Sequence, residues 1–95
     1  MKGYVVCVYK NITNEQKLKE YAVKARTAVE KHKGKFLIRG GKTTTNEGER
    51  SPRTVVIEFP SHEEANLFYK SKEYQEAHEI LKGHAIRHHQ TVEGV

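Results

Sequence analysis

The chain has 95 residues and a formal net charge of +5, from 17 lysines and arginines against 12 aspartates and glutamates. This length fits one domain, residues 1–95, with a core so small that a second subunit would help to stabilise it. The single cysteine excludes an intrachain disulfide and favours a reducing, cytoplasmic setting. No apolar run reaches the length of a membrane span. The scattered lysines do not predict a specific nucleic-acid surface.

The first part of the chain predicts a strand, a helix and a second strand. Tyr4 to Tyr9 is an unbroken run of β-branched and aromatic residues with one cysteine, typical of a strand covered on both faces. Thr13, followed three residues later by Gln16, predicts a capping box at the start of a helix. Gly34 predicts the end of that helix. Phe36 to Arg39 predicts the second strand.

The second part predicts another strand, a helical region in two pieces and a last strand. Lys42–Ser51 is polar and predicts a long hairpin loop before a third strand at Thr54–Phe59. Ser61 begins a second capping box, and Ser71 predicts a new helix start within the same region. Ala85–Val92 predicts the last strand, although its sequence is unusually polar.

The order βαββαβ predicts an α+β fold of the ferredoxin-like kind, a four-stranded antiparallel sheet with its helices on one face. Helices can cover only that face, yet both faces of the strands Tyr4–Tyr9 and Thr54–Phe59 are apolar. The same sheet from a second copy of the chain is the simplest cover for the other face. We therefore expect a homodimer in which two sheets face each other, a dimeric α+β barrel.

Arg39, Gly40 and Gly41 form the first candidate ligand-binding group, at the end of the second strand. The arginine could hold a carboxylate or phosphate in a bidentate fork. The glycines permit unusual backbone angles or the close approach of a ligand. The structural alternative is a bulge, with the arginine paired to a neighbouring acid.

Glu58 interrupts an apolar strand, and it is the candidate catalytic residue as a general base. A carboxylate in such surroundings is costly unless paired, so an ion pair with Arg39 or Arg53 is the structural alternative. Tyr69 and Tyr74 are candidate ligand contacts through their hydroxyls, or core-filling rings. If the hairpin register puts Arg39 and Glu58 on one face, these residues are expected to line one cleft between the sheet and the second helical region.

Six histidines raise the question of a metal. His88 and His89 are neighbours on a predicted strand, so they point to opposite faces and cannot share one ion. The sequence predicts neither a metal site nor a cofactor. A pH-sensitive dimer face is an alternative role for histidines in the last strand.

Five short stretches carry a family resemblance that extends over essentially the whole chain. They are "KGYVV", "KGKFLIRGG", "VVIEFPS", "FYKSKEYQ" and "VEGV". Together they resemble the domain of unknown function 1330 family. The resemblance implies a dimeric α+β barrel, and it brings no established reaction. Phe68 departs from the tryptophan expected at its position, and "RHHQT" replaces a more aliphatic last strand.

Binding of a small polar or anionic molecule in the cleft is the function that this sequence favours, with cofactor-independent catalysis left open. The alternative is a structural or protein-interaction dimer without catalysis. RNA-recognition modules share the element order, but they need exposed aromatics where "RTVVIEF" has aliphatic residues. We expect neither specific nucleic-acid binding nor a membrane partner.

Overall fold

The computed structural model describes all 95 residues of the chain. The elements, in chain order, are β1 (Gly3–Ile12), α1 (Glu15–Lys31), β2 (Lys35–Arg39), β3 (Arg53–Phe59), α2 (His62–Lys70), α3 (Lys72–Leu81) and β4 (Ala85–Glu93). All neighbouring strands are antiparallel, in the order β2-β3-β1-β4. This topology confirms the predicted α+β fold of the ferredoxin-like kind. None of the three helices combines the length and apolar composition that crossing a membrane requires.

Hydroxyl caps set the starts of the two later helices, as predicted. The side-chain oxygens of Ser61 and Ser71 each accept a hydrogen bond from the backbone N–H three residues later. The predicted cap of the first helix is wrong by one residue, because Asn14 takes that position. Thr13 is engaged elsewhere, since its hydroxyl donates to the carbonyl of His84 at 3.0 Å. This bond ties the start of α1 to the start of β4.

The predicted helix stop at Gly34 lies three residues beyond the end of α1 at Lys31. Gly34 has a packing role instead. A side chain at this position would collide with Phe59 and Val29. The backbone N–H of Gly34 donates to the carbonyl of Val29 at 2.8 Å. The chain can therefore turn directly from the helix into β2.

One apolar core fills the space between the helices and one face of the sheet. Alternate residues of β1, namely Val5, Cys7 and Tyr9, point into it and are at most 2% exposed. The remaining members come from β3 and all three helices: Leu18, Tyr21, Ala25, Ala28, Val29, Ile57, Phe59, Ala65, Phe68, Tyr74, Ala77 and Leu81. Cys7 is a free, buried thiol within this core.

The opposite face of the sheet, here called the open face, has no helix over it. Tyr4, Val6 and Val8 of β1 point to this face and are half-buried. Ile38 and Val92, on the outer strands, are 47% and 42% exposed. The sheet is therefore apolar on both sides, and only one side is covered within the chain.

Candidate functional site

Arg39 and Glu58 lie on opposite faces of the sheet. Arg39 pairs with Val55 on the side of the helices, whereas Glu58 pairs with Tyr4 on the open face. A bulge at Leu37 causes this separation, because one extra residue in β2 moves every later side chain to the other face. With regular pairing, Arg39 would share the face of Glu58. The prediction that both residues line one cleft is therefore wrong.

Glu58 lies at the edge of the open face and not in the core. Its carboxylate accepts a hydrogen bond from the hydroxyl of Tyr4 at 3.1 Å. That bond holds the pKa of Tyr4 above its ordinary value. Neither Arg39 nor Arg53 forms an ion pair with Glu58, so the predicted pairing across the hairpin is also wrong. Glu58 is not among the residues that line the cleft between the sheet and the helices.

A cleft between the sheet and the helices contains three arginines and no carboxylate. Arg39, Arg53 and Arg87 line it with mostly apolar neighbours. The cavity within it has a volume of about 30 Å³. The cleft is thus a narrow, positively charged space with apolar walls. Its other lining residues are Val5, Cys7, Tyr9, Tyr21, Ala22, Ala25, Val29, Phe36, Val55, Ile57, Phe68, Tyr74 and His89.

Arg87 of β4 reaches into this cleft and is surrounded by phenols. Its Nη1 donates to the hydroxyls of Tyr21 at 2.9 Å and Tyr9 at 3.3 Å, and lies 3.6 Å from the sulfur of Cys7. Its Nη2 donates to the hydroxyl of Tyr74 at 2.6 Å. The guanidinium also stacks on the Tyr21 ring, 4.9 Å from the ring centroid. No acid neutralises this charge within the protein.

The cluster around Arg87 has more hydrogen-bond donors than acceptors. Each phenol has one hydrogen, and a guanidinium has five N–H groups and no acceptor. The hydroxyls of Tyr21 and Tyr74 lie 2.9 Å apart, so only one of them uses its hydrogen in that bond. The hydroxyl hydrogen of Tyr9 and the Nε–H of Arg87 have no acceptor in the protein. An oxygen or an anion placed here would receive several hydrogen bonds at once.

The phenols remain protonated at neutral pH. Burial raises the pKa of Tyr9 to about 12. Burial also raises the pKa values of Tyr21 and Tyr74 above the ordinary value for a phenol, against the opposing effect of the Arg87 charge. These hydroxyls are therefore neutral: they accept hydrogen bonds from Arg87, but they do not compensate its charge.

Gly40 allows Arg53 to lie against the end of β2. The glycine has a φ of +69°, in the left-handed region, and a side chain there would collide with the guanidinium of Arg53. The Nε of Arg53 is buried and has no hydrogen-bond partner. Gly41 lies in the exposed loop that follows, and a side chain at this position would meet no other atom. Of the two predicted glycines, Gly40 is the one that adjoins the cleft.

The remaining predicted site residues have different positions. Tyr74 lies within the cleft and is 1% exposed. Arg39 is exposed at the cleft mouth, with its guanidinium 4.4 Å from the centroid of the Phe36 ring. Tyr69 packs on the outer side of Tyr74, with ring centroids 5.2 Å apart. It lines a separate surface groove with His89.

Arg87 was not among the site residues predicted from the sequence, and His89 was considered only for a metal site or a pH-sensitive dimer face, although it lies on the side of the helices. The signal was the polar stretch "RHHQT" in a strand otherwise expected to be aliphatic. Strand alternation places Arg87 and His89 on one face and His88 on the other, and the structure puts the first two towards the helices. No three His, Cys, Asp or Glu side chains are grouped closely enough to hold a metal ion.

The fold is similar to that of several solved structures. A protein of unknown function from Rhodopseudomonas palustris has a TM-score of 0.78 at 12% identity, covering 99% of this chain and 82% of that one. A protein from Caulobacter crescentus, provisionally assigned as an antibiotic biosynthesis monooxygenase, has a TM-score of 0.64 at 10% identity, with coverages of 99% and 89%. A dimeric protein of unknown function and ferredoxin-like fold from Bacteroides fragilis has a TM-score of 0.58 at 17% identity, with coverages of 98% and 96%. At these identities the likeness shows the fold alone.

A search of curated proteins finds none that matches this sequence. In contrast, the family model described as "Domain of unknown function (DUF1330)" matches residues 2–95. This match covers nearly the whole chain and confirms the resemblance drawn from the five sequence stretches. The chain belongs to the DUF1330 family.

Proposed function

We propose that this protein binds a small organic anion in the cleft between the sheet and the helices. The observation that carries the proposal is the charge of Arg87, which lies in the cleft with phenols for neighbours and without a carboxylate. A charge removed from water is costly unless it is paired. Two further guanidinium groups line the same space, and the Nε of Arg53 lacks an acceptor. A carboxylate would supply both the missing charge and the missing acceptor.

The walls of the cleft constrain the ligand that it would accept. Apolar side chains such as Ile57 and Phe68 surround the charged cluster, so a carboxylate with a short apolar body matches the lining. Because the cavity volume is only about 30 Å³, the ligand must be small or must displace side chains at the mouth. Arg39 is suited to such movement, since it is exposed.

For the quaternary structure we propose a homodimer formed through the open face. Its support is the uncovered apolar surface around Val6, with Ile38 and Val92 partly exposed on either side. Exposed apolar patches of this kind mark protein contacts. The Bacteroides fragilis protein of similar fold is described as dimeric, which supports a dimer but not a particular interface. The same apolar face supports the second candidate function, a protein-interaction dimer that has no ligand.

Thermal unfolding with matched ligands tests the binding proposal. Butyrate and butyramide have nearly the same shape, but only butyrate carries a charge. At equal ionic strength, butyrate should raise the melting temperature and butyramide should not, because ligand binding stabilises the folded state by RT ln(1 + [L]/Kd). Arg87→Met should abolish the shift. Arg26→Met is the matched control, because Arg26 is exposed on α1 and pairs with Glu30.

Glu58→Gln is a second control, because Glu58 lies on the open face and should not affect the shift. Equal shifts with butyrate and butyramide, or a butyrate shift that survives Arg87→Met, would contradict anion binding by the cleft. A dimer that responds to neither compound would instead favour the protein-interaction role.

A further inference from the structure

His89 is a second polar residue of the cleft, with a position unlike that of Arg87. It lies on the helix-facing side of β4, opposite Cys7 of β1. Its ring centroid is 5.0 Å from that of Tyr69 and 6.0 Å from that of Tyr74. His89 lines both the interior of the cleft and a groove of about 200 Å³ at the edge of the sheet. The imidazole therefore stands between the charged interior and the surface.

The imidazole of His89 is neutral and makes no hydrogen bond within the protein. His32 is the one histidine whose ring nitrogen is engaged by another side chain, that of Glu64. Burial, and then the nearby charge of Arg87, lower the pKa of His89 to about 3. At neutral pH one of its ring nitrogens therefore carries a lone pair that no donor of the protein occupies.

No other side chain in the cleft is a neutral base. The guanidinium groups are protonated, the phenols are protonated, and burial raises the pKa of the Cys7 thiol despite the opposing charge of Arg87. No carboxylate lines the cleft. The titratable or charged groups that face His89 are Arg87 of β4, Cys7 of β1, Tyr69 of α2, and Tyr74 and His78 of α3. His88 lies on the other face of the sheet, and its charge acts on His89 only through space.

We propose that His89 accepts a proton from the carbon next to the carbonyl of a small 2-oxo acid whose oxygens are held by Arg87. This inference rests on the anion-binding function proposed above. A 2-oxo acid carries both a carboxylate, which the arginines can bind, and an adjacent carbonyl oxygen, which the donor-rich cluster can polarise. His89 lies on the same face of β4 as Arg87, two residues away.

The step balances without any co-reactant. The imidazole lone pair takes the proton, and the electrons of that C–H bond form a carbon–carbon double bond. The π electrons of the carbonyl move onto its oxygen, where the N–H groups of Arg87 and the phenol hydrogens stabilise the developing charge. The imidazolium then returns a proton to the oxygen, which gives the enol, or to the same carbon, which restores the substrate.

Ligand binding also makes His89 a better base. The negative charge of the bound acid offsets the charge of Arg87, which is one of the causes that disfavour a proton on the imidazole. His89 should therefore bind a proton more strongly in the complex than in the free protein. Binding and proton acceptance are coupled through a shared neighbour.

Deuterium exchange into 2-oxobutyrate tests the proposal. In D₂O the wild-type protein should speed the loss of the ¹H NMR signal of the methylene next to the carbonyl, because an imidazolium proton exchanges with solvent. His89→Gln should lower this rate at least about a hundredfold, while 2-oxobutyrate still raises its melting temperature. His88→Gln is the matched control, since His88 points to the open face and should leave the rate unchanged.

The outcomes separate this proposal from the one on which it depends. If 2-oxobutyrate stabilises the wild type without exchange above the buffer rate, His89 has no catalytic role and anion binding stands. If it neither stabilises the protein nor exchanges, the proposal for His89 is wrong, and if butyrate also gives no shift, the anion-binding proposal is wrong as well. Exchange that persists in His89→Gln would overturn the assignment to His89. Should that variant not fold, His89→Phe keeps the packing on Tyr69 and removes the lone pair.

A pH profile adds a readout that a structural role of His89 would not change. Because His89 is already neutral in the free protein, kcat/KM for exchange should show no inflection between about pH 5 and 8. An inflection at the ordinary histidine pKa would contradict the role of this buried imidazole.

Discussion

The Nη2 of Arg87 donates a hydrogen bond of 2.6 Å to the hydroxyl of Tyr74, a side chain that is only 1% exposed. The two residues come from β4 and α3, so the bond joins the edge of the sheet to the helical layer. It holds the positive charge of Arg87 within the cleft. Both the stability of the fold and the proposed function depend on how this charge is satisfied.

Tyr74→Phe should lower the free energy of unfolding by about 1–3 kcal/mol, because it leaves an N–H of the buried guanidinium without an acceptor. Urea denaturation would measure the change, provided that the slope of the unfolding free energy against urea concentration is the same in both proteins. Tyr69→Phe is the matched control, since the hydroxyl of Tyr69 makes no hydrogen bond within the protein, and it should change stability by less than about 0.5 kcal/mol. Equal losses in both variants would contradict the importance of the Arg87–Tyr74 bond.

Arg87→Met should leave the free energy of unfolding within about 1 kcal/mol of wild type, or raise it. Replacing an unneutralised buried charge by an apolar side chain of similar length is often neutral or stabilising. The same variant should lose binding of butyrate. If urea denaturation instead shows that the variant loses several kcal/mol of unfolding free energy, Arg87 stabilises the fold. That result would contradict the proposal that its charge is unpaired because the site binds an anion.

Stability should fall as the pH is lowered, with His89 as one cause. In the unfolded chain a histidine binds its proton near pH 6.5, whereas burial and Arg87 lower the pKa of folded His89 to about 3. Between these values the unfolded state binds more protons, so the contribution to stability is lost at up to about 1.4 kcal/mol per pH unit as pH falls.

Urea denaturation of His89→Gln across this pH range should show a correspondingly flatter dependence than wild type. His88→Gln should retain the wild-type slope, because its side chain points to the open face. Parallel slopes in all three proteins would contradict the burial of a neutral His89.

Aspartate substitutions at two neighbouring valines should have different effects, one on folding and the other on dimer formation. Val5 is fully buried against the helices, so Val5→Asp should unfold the subunit. Val6 points to the open face, so Val6→Asp should leave a folded monomer in place of the proposed dimer. Light scattering coupled to gel filtration, together with circular dichroism, measures both effects. A wild-type monomer of 10.9 kDa would contradict the proposed dimer.

Much of the fold could be predicted from the sequence, because the helix-capping residues and the apolar strand patterns indicated the same order of elements. The capping serines Ser61 and Ser71 start the later helices as predicted, and the apolar strands lie where their composition indicated. The first cap differed because Thr13 bonds to a residue 71 positions away. A contact of that range has no local sequence signature.

The candidate site was less predictable, since it depends on one inserted residue. Leu37 and Ile38 are both apolar and exposed, so the hydrophobic pattern does not show which of them is the bulge. The bulge decides whether Arg39 faces Glu58 or the cleft. Arg87 was missed for a different reason, because a charged residue in an edge strand is ordinarily solvated, and only the packing of the helices encloses it.

Bromide soaked into crystals of the protein gives the most direct test of the anion site, because its anomalous scattering locates the ion without any assumption about the ligand. We expect an anomalous peak in the cleft, within hydrogen-bonding distance of the Arg87 guanidinium and the surrounding phenols, and its loss in crystals of Arg87→Met. Peaks confined to surface lysines and the exposed loop, with none beside Arg87, would contradict anion binding in the cleft.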